Sequence, residues 1–89
     1  MLERTLLVNN RLGLHARATA KLVQTLSKFK SQATLSTKGR EVNAKSIMGV
    51  MLLAAGKGTS LTVKISGEDE AQAMDAVVAL FAQCFDEGS

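Results

Sequence analysis

The chain is poor in several residue types: among its 89 residues there is no proline, tryptophan or tyrosine, and there are one cysteine and one histidine. The single cysteine, Cys84, excludes an internal disulfide and a metal site built from several cysteines, and it suits a reducing compartment. With only three phenylalanines, aliphatic side chains and methionine must fill the core, and few rings are available to stack on bases. We therefore expect no metal and no bound cofactor, and we interpret Cys84 as a half-buried helix residue.

Long hydrophobic runs are also missing. The first ten residues, MLERTLLVNN, carry Glu3 and Arg4 and then a short apolar run that ends at Asn9. This run is too short for the core of a signal peptide or for a membrane span. We expect a cytoplasmic protein that does not insert into a membrane.

Size and composition are those of one small globular domain. Hydrophobic residues make up 46% of the chain and charged residues 21%, an ordinary balance for a compact fold. A chain of this size buries about 60–65% of its unfolded surface and has no room for a second domain. We predict a single domain over residues 1–89, and a monomer.

The net charge of +3 hides an uneven distribution. Ten of the eleven lysines and arginines lie at or before Lys57, whereas six of the eight acidic residues lie at or after Glu68. A basic first half is typical of proteins that bind an acidic partner, a phosphate group or a nucleic acid, and a merely solvated surface is the alternative.

Hydrophobic periodicity predicts four strands and three helices. Alternation of polar and apolar residues favours strands, and apolar residues spaced by three and four favour helices. The predicted strands cover 4–8, 32–37, the residues around Val42, and 60–65; the predicted helices cover 16–29, 47–55 and 69–85. Ser46 is the expected N-cap of the second helix, and Gly56 is expected to end it.

The order of these elements, βαββαβα, predicts an α+β fold of two layers. In such an open-faced sandwich three helices cover one face of a four-stranded antiparallel sheet. Periodicity does not tell which strands pair. For the last helix, spacing predicts a buried face made of Ala71, Met74, Val78, Phe81 and Phe85.

The one histidine, His15, stands in the segment GLHARATA (residues 13–20), where a strand-like stretch gives way to a helix-like one. At a helix start the backbone N–H groups lack intrahelical partners and the dipole favours an anion. A phosphoryl group on His15 would therefore be held there, by the N–H groups of Ala16 and Arg17. The Arg17 guanidinium offers a planar fork of donors for phosphate oxygens, and Gly13 gives the backbone freedom to turn.

A simpler interpretation of the same residues is that His15 is a surface residue at a helix start and Arg17 a solvated charge. Other phosphate chemistry fits less well, because the stretch GKGT at 56–59 lacks the Lys-Ser or Lys-Thr order and the preceding strand of a P-loop. A catalytic triad is unsupported, since the chain offers no paired nucleophile and base.

Several motifs together resemble one protein family. GLHARATA is similar to the active-site segment of the HPr family, the histidine phosphocarriers of the bacterial phosphoenolpyruvate-dependent phosphotransferase system. The resemblance extends over nearly the whole chain. It includes the βαββαβα order, NAKSIM at residues 43–48, GKG at residues 56–58 and GEDE at residues 67–70.

This resemblance implies a function for the histidine. His15 would accept a phosphoryl group from phosphorylated enzyme I on the ring nitrogen nearer the backbone, and would pass it to an enzyme IIA. Arg17 would neutralise the group during transfer. The chain would then be a stoichiometric carrier and not an enzyme, serving sugar uptake or nitrogen- or carbon-linked regulation.

The resemblance also implies a docking patch and a regulatory site. The patch maps onto Ala16, Ala20, Ile47, Met48 and Met51. Spacing alone makes Ile47 and Met51 at least as suitable for the core, and Met48 more suitable for exposure. Ser46 would be the target of an HPr serine kinase/phosphatase, although its preference for the N-cap position explains it without any other role.

One position departs from the family pattern, which usually has proline directly after the arginine, where this chain has Ala18. Proline early in a helix presets the backbone, whereas alanine favours the helix and keeps its N–H group. We expect the site to survive the change, with His15 and Arg17 held less rigidly.

Two other classes of protein remain open at this point. A small RNA-binding α+β module would place aromatic side chains on an exposed sheet face, but the three phenylalanines fall in predicted helices. A docking module of the same fold that works without phosphorylation would lack the histidine that is present here.

Overall fold

The computed structural model describes residues 1–86 and confirms the two-layer α+β sandwich in the order βαββαβα, followed by a 3-10 turn. The strands are β1 (Leu2–Leu7), β2 (Gln32–Thr37), β3 (Arg40–Asn43) and β4 (Ser60–Ser66); the helices are α1 (Ala16–Ser27), α2 (Ile47–Leu52) and α3 (Glu70–Ala82), and the turn is Cys84–Asp86. Within residues 1–86 no helix is long and apolar enough to cross a membrane.

The sheet is antiparallel throughout, with the strand order β1-β4-β2-β3. Its first strand pairs with its last, from Leu2 opposite Ile65 to Leu7 opposite Ser60. The hairpin of β2 and β3 adds to the other side of β4. The sheet is therefore complete only when distant parts of the chain meet.

The core lies between the sheet and the helices. On β4, Leu61, Val63 and Ile65 are fully buried, whereas Thr62 and Lys64 on the other face are only partly covered. α1 packs against α2 and α3, and α3 packs against β1 and β4. Each large aliphatic side chain buried in this way stabilises the fold by about 1.5–3 kcal/mol.

The boundaries of the first strand and the first helix differ from the prediction. β1 begins and ends earlier than 4–8, and Val8 lies beyond it, fully buried in the core. α1 ends at Ser27, because the Phe29 N–H donates to the carbonyl of Leu26, three residues back, and not to the carbonyl four residues back that an α-helix would use. Phe29 thus packs half-buried against the core from a loop.

α2 is shorter than predicted and does not end at Gly56. It ends at Leu52, and the left-handed backbone after it belongs to Ala54, with φ 49°. The cause is a tertiary contact, because the Ala55 carbonyl accepts the N–H of Leu14 at 2.8 Å. This bond draws the chain after α2 onto the loop that precedes α1.

α3 ends at Ala82, so the prediction that it extends to Phe85 is wrong. Cys84 and Phe85 have left-handed backbone conformations, with φ 50° and 56°, and form the 3-10 turn. Cys84 is half-buried there, outside any α-helix. Phe85 still fills the core, with its ring centroid 4.9 Å from that of Phe81.

The buried face of α3 also differs from the predicted one. Ala71 is exposed and Val78 only half-buried, because the helix is rotated so that a neighbouring stripe faces the sheet. The buried residues are Ala73, Met74, Val77, Leu80 and Phe81.

Asp69 precedes α3, but its carboxylate makes no capping hydrogen bond to that helix. It accepts hydrogen bonds from the N–H groups of Lys30 and Ser31 at 2.9 and 3.0 Å and from the Ser31 hydroxyl at 2.5 Å. The Ser31 hydroxyl, followed by the Lys30 N–H, holds the pKa of the Asp69 carboxyl below its ordinary value. One side chain thereby ties the loop before β2 to the loop before α3.

Candidate functional site

His15 is the N-cap of α1. Its backbone is extended, with φ −74° and ψ −178°, and its ring Nδ1 accepts the Arg17 N–H at 3.1 Å. Its carbonyl accepts the N–H of Thr19 at 2.9 Å. An Nδ1 that accepts a hydrogen bond leaves the proton of the neutral ring on Nε2. The nitrogen nearer the backbone therefore aims its lone pair at the positive end of the helix.

The turn before His15 requires glycine at position 13. Gly13 has φ +69°, and a Cβ there would lie 2.6 Å from the Ala55 carbonyl oxygen and 2.7 Å from the Cα of Gly56. Leu14, the next residue, is buried and donates its N–H to the same Ala55 carbonyl. Because glycine has no Cβ, the backbone at position 13 can adopt a positive φ and lie directly against the backbone of Ala55 and Gly56.

Ala16 and Arg17 occupy the first two helical positions, and both are exposed. Within residues 1–86 the structure shows no carboxylate paired with the Arg17 guanidinium. Ala18, at the position where proline is usual, is fully buried. The helix start thus presents backbone N–H groups and an exposed cation beside the ring, a suitable arrangement for a phosphoryl group.

α2, which packs against α1, has an exposed apolar surface. Ile47, Met48 and Met51 are 47%, 78% and 45% exposed. A core position for Ile47 and Met51 is therefore wrong, since this short helix buries only Val50. On α1, Ala16 is exposed as noted, and Ala20 is half-buried.

Among the other exposed apolar side chains, two belong to α2 and to the loop before His15, and sequence reasoning missed both. Leu52 is 63% exposed and Leu12 is 67% exposed. Leu52 follows Met48 by four residues, so helical spacing contained a signal for it. Leu12 lies in the loop before His15, where no periodicity applies.

Ser46 is the N-cap of α2, as predicted. Its hydroxyl oxygen accepts the Gly49 N–H at 3.1 Å, and its carbonyl accepts the Val50 N–H at 3.0 Å. The preceding residue, Lys45, donates from Nζ to the Phe29 carbonyl at 2.7 Å. Ser46 is half-buried at the start of the apolar helix.

Neither a metal centre nor a base-stacking surface emerges from the described residues. In that part of the chain, no group of three or more His, Cys, Asp or Glu side chains is placed to hold a metal ion. Phe81 and Phe85 are buried, Phe29 is half-buried against the core, and none of the three lies on a strand. The sheet therefore offers no phenylalanine on which a base would stack.

Comparison with known proteins shows the family. The family model described as PTS HPr component phosphorylation site matches residues 2–83. The chain therefore belongs to the HPr family of the phosphotransferase system. Its function is that of a phosphocarrier protein in this system.

Individual relatives agree with this assignment. Phosphocarrier protein HPr of Xylella fastidiosa (strain 9a5c) is 70% identical over 87 residues, which cover 98% of both chains. The crystal structure of HPr-C-His from Thermoanaerobacter tengcongensis superposes with a TM-score of 0.95 at 44% identity and covers 98% of both chains. A crystal structure of an HPr dimer from that organism gives a TM-score of 0.77 at 44% identity, covering 96% of this chain and 98% of that one.

Proposed function

We propose that Nδ1 of His15 carries the phosphoryl group, which it accepts from phosphorylated enzyme I and passes to an enzyme IIA. The observation that carries this proposal is the 3.1 Å hydrogen bond from the Arg17 N–H to Nδ1. This bond aims the ring nitrogen at the N-terminus of a helix of 12 residues, where an anion is stabilised.

The transfer step exchanges one nitrogen–phosphorus bond for another. The Nδ1 lone pair of His15 bonds to phosphorus, and the electron pair of the donor bond returns to the phosphohistidine ring of enzyme I. The Arg17 N–H, released from Nδ1, then donates to a phosphoryl oxygen together with the N–H of Ala16. Transfer to enzyme IIA is the same exchange in the opposite direction.

The Arg17 guanidinium neutralises the phosphoryl charge during transfer. It is exposed, and no carboxylate of residues 1–86 competes for its donors. A guanidinium presents several N–H groups in one plane, which suits phosphate oxygens better than the single ammonium of lysine. Arg17→Lys is therefore expected to slow transfer while it preserves the charge.

Partner proteins dock on the exposed apolar surface of α2 and the adjoining residues of α1. Exposed apolar groups of this kind are typical of protein interaction sites. The proposed docking residues are Ala16, Ala20, Ile47, Met48 and Met51, to which the exposure of Leu52 adds one more.

The chain acts as a stoichiometric carrier and not as an enzyme, since it offers one histidine and is recycled by its partners. Residues 1–89 function as one domain, as a monomer in the cytoplasm. The HPr from Thermoanaerobacter tengcongensis has a crystal structure as a dimer, so the oligomeric state of this chain needs a direct measurement. Sedimentation equilibrium is expected to give a single species of 9.4 kDa.

Ser46 adds regulation to this cycle, as the target of an HPr serine kinase/phosphatase. Ser46 is half-buried and lies directly before Ile47 and Met48 of the docking surface. A phosphate there would place negative charge at the edge of that surface and oppose docking of an acidic partner.

The test of the carrier function is incubation with enzyme I and phosphoenolpyruvate, followed by mass spectrometry. We expect one acid-labile phosphoryl group on His15 and no labelling of His15→Ala. Gln72→Ala, an exposed substitution on α3, is the matched control and is expected to be labelled fully. Full labelling of His15→Ala, or an acid-stable product, would show that another residue is the acceptor.

A further inference from the structure

We propose that Thr19 and Asn10 are positioning residues, which hold the backbone around His15 in the orientation that phosphoryl transfer needs. The inference rests on the proposed role of His15 as the phosphoryl acceptor. Both side chains are fully buried, so they act through the backbone and not by contact with phosphate or partner.

Thr19 bonds the two peptide units that flank His15. Its hydroxyl donates to the Leu14 carbonyl at 3.2 Å, and its backbone N–H donates to the His15 carbonyl at 2.9 Å. The first carbonyl belongs to the peptide unit before His15, and the second belongs to the unit after it. Because a residue has only two soft backbone dihedrals, these two bonds restrain both of them and with them the direction of the ring.

Asn10 extends the same support one residue upstream. Its side-chain amide donates to the Gly13 carbonyl at 2.6 Å, and its own carbonyl accepts the Gly13 N–H at 3.1 Å. The Leu14 N–H donates to the Ala55 carbonyl at 2.8 Å. All four backbone polar groups of Gly13 and Leu14 are thereby bonded inside the protein.

The Thr19 hydroxyl does not make the bond that serine and threonine usually make in a helix. The usual acceptor is a carbonyl three or four residues back, as for Ser27, whose hydroxyl donates to the Val23 carbonyl at 2.7 Å in the same helix. The Thr19 hydroxyl reaches past His15 to a carbonyl outside the helix. Ser27 is therefore an internal control for an ordinary helix hydroxyl.

This support matters because the acceptor nitrogen must meet a phosphorus atom that another protein holds. A misplacement of about 1 Å at a reacting group costs up to about 100-fold in rate. The Thr19 hydroxyl is not needed to fill space, since valine has nearly the same shape. Valine would only remove the donor from the Leu14 carbonyl, so its effect reports on positioning.

The test compares Thr19→Val, Thr19→Ser and Ser27→Ala as substrates of enzyme I with phosphoenolpyruvate. We expect Thr19→Val to lower kcat about tenfold with KM within about twofold of wild type, because the docking surface is unchanged. Thr19→Ser keeps the hydroxyl and is expected to recover most of the rate, and Ser27→Ala is expected to match wild type. Asn10→Ala is expected to lower kcat in the same manner as Thr19→Val.

A spectroscopic readout separates positioning from a loss of stability. The amide proton resonance of Arg17 reports the bond to His15 Nδ1, so Thr19→Val is expected to shift it and Ser27→Ala to leave it in place. A folded Thr19→Val with wild-type kcat, or with a defect in KM alone, overturns the inference. If Thr19→Val does not fold, Thr19→Ala takes its place under the same criteria. Labelling of His15→Ala would instead contradict the proposed function, so the two failures are distinguishable.

Discussion

The N-termini of α1 and α2 are built alike and differ in the residue that caps them. In each, a side chain accepts a backbone N–H at 3.1 Å: His15 accepts from Arg17, and Ser46 accepts from Gly49. Serine is a preferred cap, whereas histidine is not among the preferred caps. The same hydrogen bond is therefore ordinary capping at α2, whereas at α1 it orients the nitrogen that we propose as the phosphoryl acceptor.

The loops that lead into these two helices are also held differently. Before Ser46 the Asn43 side chain accepts the Lys45 N–H at 2.8 Å, and the Ala44 N–H donates to the distant Ala33 carbonyl at 2.9 Å. Before His15 the Leu14 N–H donates to the distant Ala55 carbonyl, and a Cβ on Gly13 would lie only 2.6 Å from that carbonyl oxygen. Both loops therefore use distant hydrogen bonds, and the close approach of two backbones is what distinguishes the start of α1.

The largest expected effect comes from breaking the close approach before His15. Gly13→Ala would place a Cβ 2.6 Å from the Ala55 carbonyl oxygen at φ +69°, and we expect a loss of about 3 kcal/mol in the free energy of unfolding. Gly39→Ala is the matched control, because Gly39 has φ +79° with no atom within 4 Å of a built Cβ. Urea denaturation is expected to show a loss of only about 1 kcal/mol for the control. Equal losses in the two variants would mean that the contact with Ala55 is unimportant.

The start of α3 extends the comparison, because Asp69 bonds another loop instead of its own helix. The folded protein lowers the pKa of this carboxyl, first through the Ser31 hydroxyl and then through the Lys30 N–H. A lowered folded pKa means that the stabilisation is complete above the unfolded value of about 3.9 and is lost as the pH falls through the folded pKa. We expect the stability difference between wild type and Asp69→Asn, measured by chemical denaturation, to be constant near neutral pH and to shrink below about pH 4. A stability difference that does not change with pH would show that the charge on the Asp69 carboxylate does not stabilise the fold.

A charged substitution at Ser46 distinguishes the capping role of this residue from its proposed effect on partner docking. Ser46→Asp retains a good cap, so we expect an unchanged Tm. Transfer to His15 at low salt is expected to slow by about tenfold, because a partner that complements the basic surface around Arg17, Lys21 and Lys45 would be acidic. The slowing is expected to diminish as salt is added. Ser46→Asn is the control, since it caps without charge and should transfer at the wild-type rate. If Ser46→Asp transfers normally at low salt, Ser46 is only a cap.

The smallest expected effect is that of restoring proline at the start of α1. Ala18 is the third helical residue, in the turn whose N–H groups have no partner within the helix. We expect the Ala18→Pro variant to fold and to accept a phosphoryl group on His15. Because proline restricts the unfolded chain, its free energy of unfolding is expected to rise by about 0.5 kcal/mol. Thermal denaturation and labelling by enzyme I measure both properties. Because Ala18 is fully buried, a variant that unfolds would show that the packing there leaves no room for the ring.

Burial of helix faces was the weakest part of the sequence interpretation. Ile47 and Met51 have core-like spacing and are exposed, because α2 is too short to bury more than Val50. On α3 the predicted face included Ala71, which is exposed. Periodicity shows that a helix has an apolar side, but the neighbouring elements decide how much of that side is covered.

The sequence by itself determined the order of the elements, the cap at Ser46, the position of His15 at a helix start, and the placement of Arg17 beside the histidine. These features depend on residues within a few positions of each other, where propensity and capping chemistry act directly. Only the tertiary structure decided the pairing of β1 with β4, the partners of Asp69 and the hold of Thr19 on the backbone around His15. The pairing and the Asp69 contacts join residues far apart in the chain, and the Thr19 bond depends on how the turn before the helix is seated against Ala55. No local pattern encodes such contacts, because they exist only once the sheet and helices have packed together.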